Sequence, residues 1–150
     1  MASYHLAELN VARMKAPLDD PLMQDFVALL ESVNAEADRS PGFVWRLQTE
    51  AGDATAARIF DDPLILANLS VWESLETFQH FTYRSIHVQP FRERRKWFTP
   101  IAGPTLALWW IPAGHIPTLE EAKARLEKLS THGPTREAFT FKQAFPHDAM

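Results

Sequence analysis

At 150 residues, with 46% hydrophobic and 23% charged side chains, the chain has the length and composition of one ordinary globular domain, able to bury roughly 70% of its unfolded surface, and not those of a disordered one. The absence of cysteine excludes disulfides, thiolate nucleophiles and cysteine-ligated metals, and the net charge of −4 argues against a general nucleic-acid binder. No apolar run approaches the ~18 residues of a membrane span, and His5, Glu8 and Asn10 interrupt any signal-peptide core, so a cytoplasmic protein with no membrane partner is expected.

Tyr4 to Val11 alternates, with His5, Ala7, Leu9 and Val11 on one side and Tyr4, Leu6, Glu8 and Asn10 on the other, the pattern of a half-buried strand. Asp20-Pro21 reads as the N-cap and first residue of a helix whose apolar stripe runs through Leu22, Phe26, Leu29, Leu30, Val33 and Ala37. Ser40-Pro41-Gly42 stops it. Phe43 to Gln48 is a second strand, and Glu50 to Thr55 a turn or loop. Leu64 to Trp72 is the third. Ser74 caps a helix from Leu75 toward Trp97, with Pro90 predicting a kink or a division into two. Thr105 to Ile111 is the fourth strand. Thr118 with Glu121 makes a capping box for a last helix ending at Gly133-Pro134, and Phe139 to Phe145 is expected to add a short strand. The order β-α-β-β-α-β plus a C-terminal helix-strand extension reads as one α+β domain over residues 1–150, ferredoxin-like, with an antiparallel sheet.

Such a unit carries its two main helices on one sheet face. The expectation is that they cover the apolar side: Ala7, Leu9 and Val11; Phe43, Trp45 and Leu47; Ile65, Ala67, Leu69 and Val71. The opposite side then collects Glu8, Asn10, Arg46, Gln48, Asn68, Ser70 and Trp72, as a cleft wall or as an interface with a second copy.

The segment Ala67-Asn-Leu-Ser-Val-Trp-Glu-Ser-Leu-Glu-Thr-Phe78 resembles the antibiotic-biosynthesis-monooxygenase-like, dimeric α/β-barrel group. Lys96-Trp-Phe98, Leu108-Trp-Trp-Ile-Pro-Ala-Gly-His-Ile-Pro-Thr118, His132-Gly-Pro134 and Ala138-Phe-Thr-Phe141 look like a bacterial family within it, domain of unknown function family 3291. This resemblance implies a ferredoxin-like fold and a homodimer with facing sheets; the family carries no assigned activity. Members of the wider group acting on haem or polyphenolic substrates use an Asn on the first strand, a Trp on the central helix and, for haem, a later His. Asn10 matches the first, whereas Phe81 and Phe91 stand at or near the other two.

On the helix after Trp72, Glu76, His80, Arg84 and His87 share one face if it is unbroken. Arg84 in their midst would repel a cation, so no metal is expected. His80 and His87 are instead the candidate acid–base residues, against the plain alternative of a solvated face. Trp97, Trp109 and Trp110 read first as core, the adjacent pair pointing to opposite faces, and His115 as fixing its own loop. Two functions compete. One is a small-molecule binding protein, in enzymatic form a cofactor-independent, monooxygenase-like catalyst, holding an aromatic or carboxylate-bearing ligand between sheet and central helix on Asn10, Arg46, Asn68 and Trp72. The other is a non-enzymatic homodimeric accessory module whose polar face is only an interface.

Overall fold

The computed structural model describes residues 3–47, 59–86 and 94–147. The sheet is organised around β1 (Tyr4–Met14), the longest strand. On one side it pairs with β3 (Ile65–Trp72) in a register running from Leu6↔Trp72 to Arg13↔Ile65, and β2 (Phe43–Arg46) lies outside β3. On its other side β1 pairs with β5 (Leu106–Pro112) along Tyr4 to Asn10 and with the two-residue β4 (Phe98–Thr99) at Arg13 and Met14. Every pairing is antiparallel, and the order β2-β3-β1-β5 is compatible with a ferredoxin-like fold.

The helix boundaries follow their caps. Asp20 accepts a bond from the Leu22 amide (2.9 Å) and opens a 3-10 turn at Pro21–Met23 that continues into α1 (Gln24–Arg39). The Ser74 hydroxyl accepts from the Thr77 amide (3.1 Å) ahead of α2 (Leu75–Ile86). Thr118 accepts from the Glu121 amide (3.1 Å) to begin α3 (Leu119–His132), which Gly133 ends at φ 72° with its N–H on the Leu129 carbonyl. The expected turn at 50–55 and the kink at Pro90 lie outside the described residues, and no helix among those described is long and apolar enough to cross a membrane. Arg94–Lys96 form a 3-10 turn just ahead of β4.

The two sheet faces are covered in the opposite sense to that expected. Ala7, Leu9, Leu69, Val71 and Trp109 form one core with Leu119, Ala122 and Leu129 of α3, not with α1 and α2. The face bearing Glu8, Asn10, Ser70 and Trp72 lies under α1 and α2, where Leu6, Trp72, Leu108 and Trp110 pack with Ala37 and Phe78. Alternation separates two faces but does not say which one the crossover helices take; that depends on strand phase and the handedness of the connections. Consequently the polar face is internal to one chain and cannot be the surface on which a second copy packs. A register shift between Phe43 and Trp45 adds a second correction: Phe43 sits edge-on to Trp72 (centroids 5.5 Å, 80°), while Trp45 faces the α3 core. The expected final strand is reduced to a bridge between Phe139 and Leu108; Phe139 and its aromatic neighbours pack on the α1/α2 side of the sheet.

Trp72 is 1% exposed and lies between Phe43, Phe78 and Phe81, whereas Trp45 is only half-buried. Trp72→Ala is therefore expected to lose about 3–5 kcal/mol in urea unfolding, and Trp45→Ala distinctly less. Equal losses would contradict the packing of these two faces.

Candidate functional site

Helix α1 meets the rest of the fold at its ends. Near its start, Phe26 packs against Trp97 (5.6 Å) and edge-on to Phe98 (4.9 Å); near its end, Ala37 joins the Trp72 cluster. Between these anchors Leu29, Leu30 and Val33 look down on a cavity of about 390 Å³, with the sheet as floor and Phe78 and Phe81 of α2 as a wall. A cavity of this size, mostly apolar with a few convergent polar groups, has the dimensions of a small-molecule site.

The floor is polar because two transverse rows of the sheet cross it. Arg46, Ser70 and Glu8 are register partners across β2, β3 and β1, and Asn68 and Asn10 are partners one step along. Their side chains form two chains of hydrogen bonds converging on one carboxylate. Trp72 Nε1 donates to Ser70 Oγ (2.9 Å), and Ser70 Oγ donates to Glu8 Oε1 (2.6 Å). Asn68 Nδ2 donates to Asn10 Oδ1 (3.1 Å), and Asn10 Nδ2 donates to Glu8 Oε2 (2.9 Å). Glu8 is 2% exposed. Burial pushes its pKa from an ordinary 4.5 up to about 7, against the opposing pull of the Ser70 and Asn10 hydrogen bonds. The Asn10 amide nitrogen can only donate, so a proton on Glu8 cannot lie between Glu8 and Asn10. The group can thus take up or release a proton near neutral pH, the requirement for a general acid or base.

The structure brings Asn10, Arg46, Asn68 and Trp72 together around this cavity. It does not bring His80, which is exposed on α2 and faces away from the Phe78–Phe81 wall; Glu76 is exposed as well. His87 lies outside the described residues. Arg46 is on the lining, but its guanidinium is held bidentately by Asp38 of α1 (Nε–Oδ1 2.8 Å, Nη2–Oδ2 3.2 Å). Trp97 lines the cavity too, whereas Trp109 and Trp110 are buried on opposite faces as their adjacency requires. His115 fixes its loop: its Nε2 lies 2.7 Å from Glu121 Oε1, while Glu121 Oε2 accepts from Trp109 Nε1 (3.1 Å). Glu8 was legible only as one polar residue of an alternating strand. The usable signal was its company: Asn10 two positions on, and a third strand placing Asn68, Ser70 and Trp72 on one side.

An α+β fold of ferredoxin-like strand order with a buried acid beneath two crossover helices is the class this chain represents. The chain belongs to the family described as Domain of unknown function (DUF3291), whose sequence profile matches residues 5–150. Among solved structures it is similar to one from Shewanella loihica PV-4 described as a "putative monooxygenase", at 17% identity over 79% of this chain and 99% of that one; the TM-score of 0.39 is too low to support an argument. No curated protein matches it.

The raised pKa has a sign. Below about pH 4.5 Glu8 is protonated both folded and unfolded and contributes no pH dependence. As pH rises from there to about 7 the unfolded chain ionises first, and stability falls by up to about 3 kcal/mol before levelling. Urea unfolding of wild type and Glu8→Gln across this range should give a difference that slopes in this sense and flattens above it. A flat difference throughout would mean Glu8 is not held in its protonated form.

Proposed function

We propose that the protein is a small-molecule binding protein of enzymatic type, which takes an apolar, aromatic substrate into the cavity between sheet and helices α1 and α2 and exchanges a proton with it through Glu8. The observation that carries this reading is a single one: a carboxyl group titrating near neutral pH on the polar floor of an otherwise apolar cavity. Asn10 and Ser70 position Glu8. Asn68 positions Asn10. Trp72, Phe78 and Phe81 give the substrate ring its wall.

The resemblance to the antibiotic-biosynthesis-monooxygenase-like group suggests the reaction. An activated CH2 between aromatic or carbonyl groups loses a proton to Glu8, and the resulting carbanion reduces dioxygen. One oxygen atom remains as a new carbonyl, and the other leaves as water carrying both hydrogens of the carbon. The co-reactant is dioxygen, and no cofactor enters the scheme. The homodimer implied by the same resemblance would form through the face opposite the cavity, where Trp45, Leu47, Ile65 and Ala67 are only half-buried.

Two measurements test this. Oxygen uptake with anthrone-like substrates should fall at least about 100-fold in Glu8→Gln and be unchanged in His80→Ala. Uptake unaffected by Glu8→Gln would refute the role of Glu8, and failure of any apolar aromatic compound to perturb Trp fluorescence would favour a non-enzymatic module. In sedimentation the 17.1 kDa chain should run at twice its mass, and a clean monomer at micromolar concentration would refute the dimer.

A further inference from the structure

We infer that Asp38, which does not itself line the cavity, is a specificity-determining residue: by holding Arg46 it withdraws the one cation from the described lining and makes the site select an uncharged hydrogen-bond donor over a carboxylate. This rests on the cavity being the ligand site, and it goes against the carboxylate-bearing ligand that an arginine on this face first suggests.

The argument begins with charge. Glu8 and Arg46 are the only ionisable lining residues among those described. Arg46 gives two of its five N–H groups, through Nε and Nη2, to both oxygens of Asp38, and the hydrogen bond from Arg46 holds the Asp38 carboxyl below its usual range, so the pair stays ionised and its charge is neutralised within the protein. Arg46 is the more enclosed member, with 21% of its side chain exposed against 42% for Asp38, so the arginine faces the cavity and its counter-ion faces outward. A ligand carboxylate would meet a guanidinium whose charge is already neutralised and whose Nε–Nη2 edge is already occupied in bidentate geometry.

Position adds a second penalty. Arg46, Ser70 and Glu8 follow one another across three adjacent strands, which sets Arg46 and Glu8 roughly 10 Å apart at the backbone. Any anion drawn to Arg46 therefore approaches the Glu8 carboxylate, with one already neutralised guanidinium between two acids. A hydroxyl meets neither obstacle. Each Glu8 oxygen accepts one bond from within the protein, and a carboxylate oxygen can accept a second.

The probes are 2-naphthol and 2-naphthoate, matched in their rings, titrated at about pH 8 where the first is neutral and the second ionised. Binding is read from the fluorescence of Trp72 and Trp97. Wild type should bind naphthol at least about tenfold more tightly than naphthoate. Asp38→Asn should raise naphthoate affinity about tenfold and leave naphthol within about twofold, and adding Arg46→Gln should abolish the gain. Asp38→Ser serves if the asparagine variant is unfolded by circular dichroism. Wild type binding naphthoate as tightly as naphthol, or an unmoved ratio in the Asp38 variant, overturns the role of Asp38 while leaving the cavity as the site. Binding of neither probe overturns the site itself.

Discussion

The arrangement depends on how a carboxyl group is kept inside the sheet. Glu8 sits in the middle strand, flanked by β3 and β5, with a crossover helix layer above it. An isolated ionised carboxylate there would be strongly unfavourable, and the two hydrogen bonds from Ser70 and Asn10 offset only part of that. What they do fix is geometry. The Ser70 hydroxyl donates to Glu8 while its oxygen accepts from Trp72, so the serine links the indole to the acid. Asn10 is oriented in the same way by Asn68. Four residues on two strands thereby hold one acid, which lines the cavity beneath the helices.

That acid constrains what the helices can do. An apolar helix pressed directly onto the Glu8–Ser70–Asn10 row would bury polar groups against hydrocarbon, so contact is made where the floor turns apolar. Met14, Met23, Phe26 and Trp97 close one end, and Ala37 with Trp72 and Phe78 the other. Between them Leu29, Leu30 and Val33 line the cavity, Leu29 and Leu30 packing also against the cluster of Met14, Met23, Phe26 and Trp97. Gly42 shows how closely the far end is drawn in. At φ 83° its Cα faces Thr77 at the start of α2, where an added Cβ would come within 2.4 Å of the Thr77 Cβ, and its carbonyl accepts from the Glu73 amide at 2.7 Å.

Much of the scaffold was legible because it is written locally. Asp20, Ser74 and Thr118 announce helix starts through single side-chain-to-amide bonds, and the alternation in β1 and β3 separates the two faces correctly. What escaped was non-local. Nothing in the hydrophobic pattern says that one apolar stripe on α3 covers the apolar face while two helices span the polar one, because period-two alternation is blind to which side a crossover takes. The bulge beside Trp45 turns Phe43 to the opposite face, and a one-residue shift leaves no compositional trace. The histidines drew attention by their ordinary titration range. Yet the group tuned to neutrality is a glutamate, and its tuning comes from burial, a property of the packed fold rather than of the residue type.

The inverted faces also alter what a polar residue on a strand means here. Facing solvent, Asn10, Asn68 and Ser70 would be interchangeable with other polar side chains, each bonded to water. Beneath two helices every donor must find an acceptor within the protein, and among the described residues no buried side-chain nitrogen or oxygen lacks one. The network therefore tolerates few substitutions at these positions, and its polarity runs one way, from Trp72 and Asn68 inward to Glu8. Both hydrogen-bond chains end at one acid on the cavity floor. Above that acid the cavity roof is apolar, formed by Leu29, Leu30 and Val33 of α1.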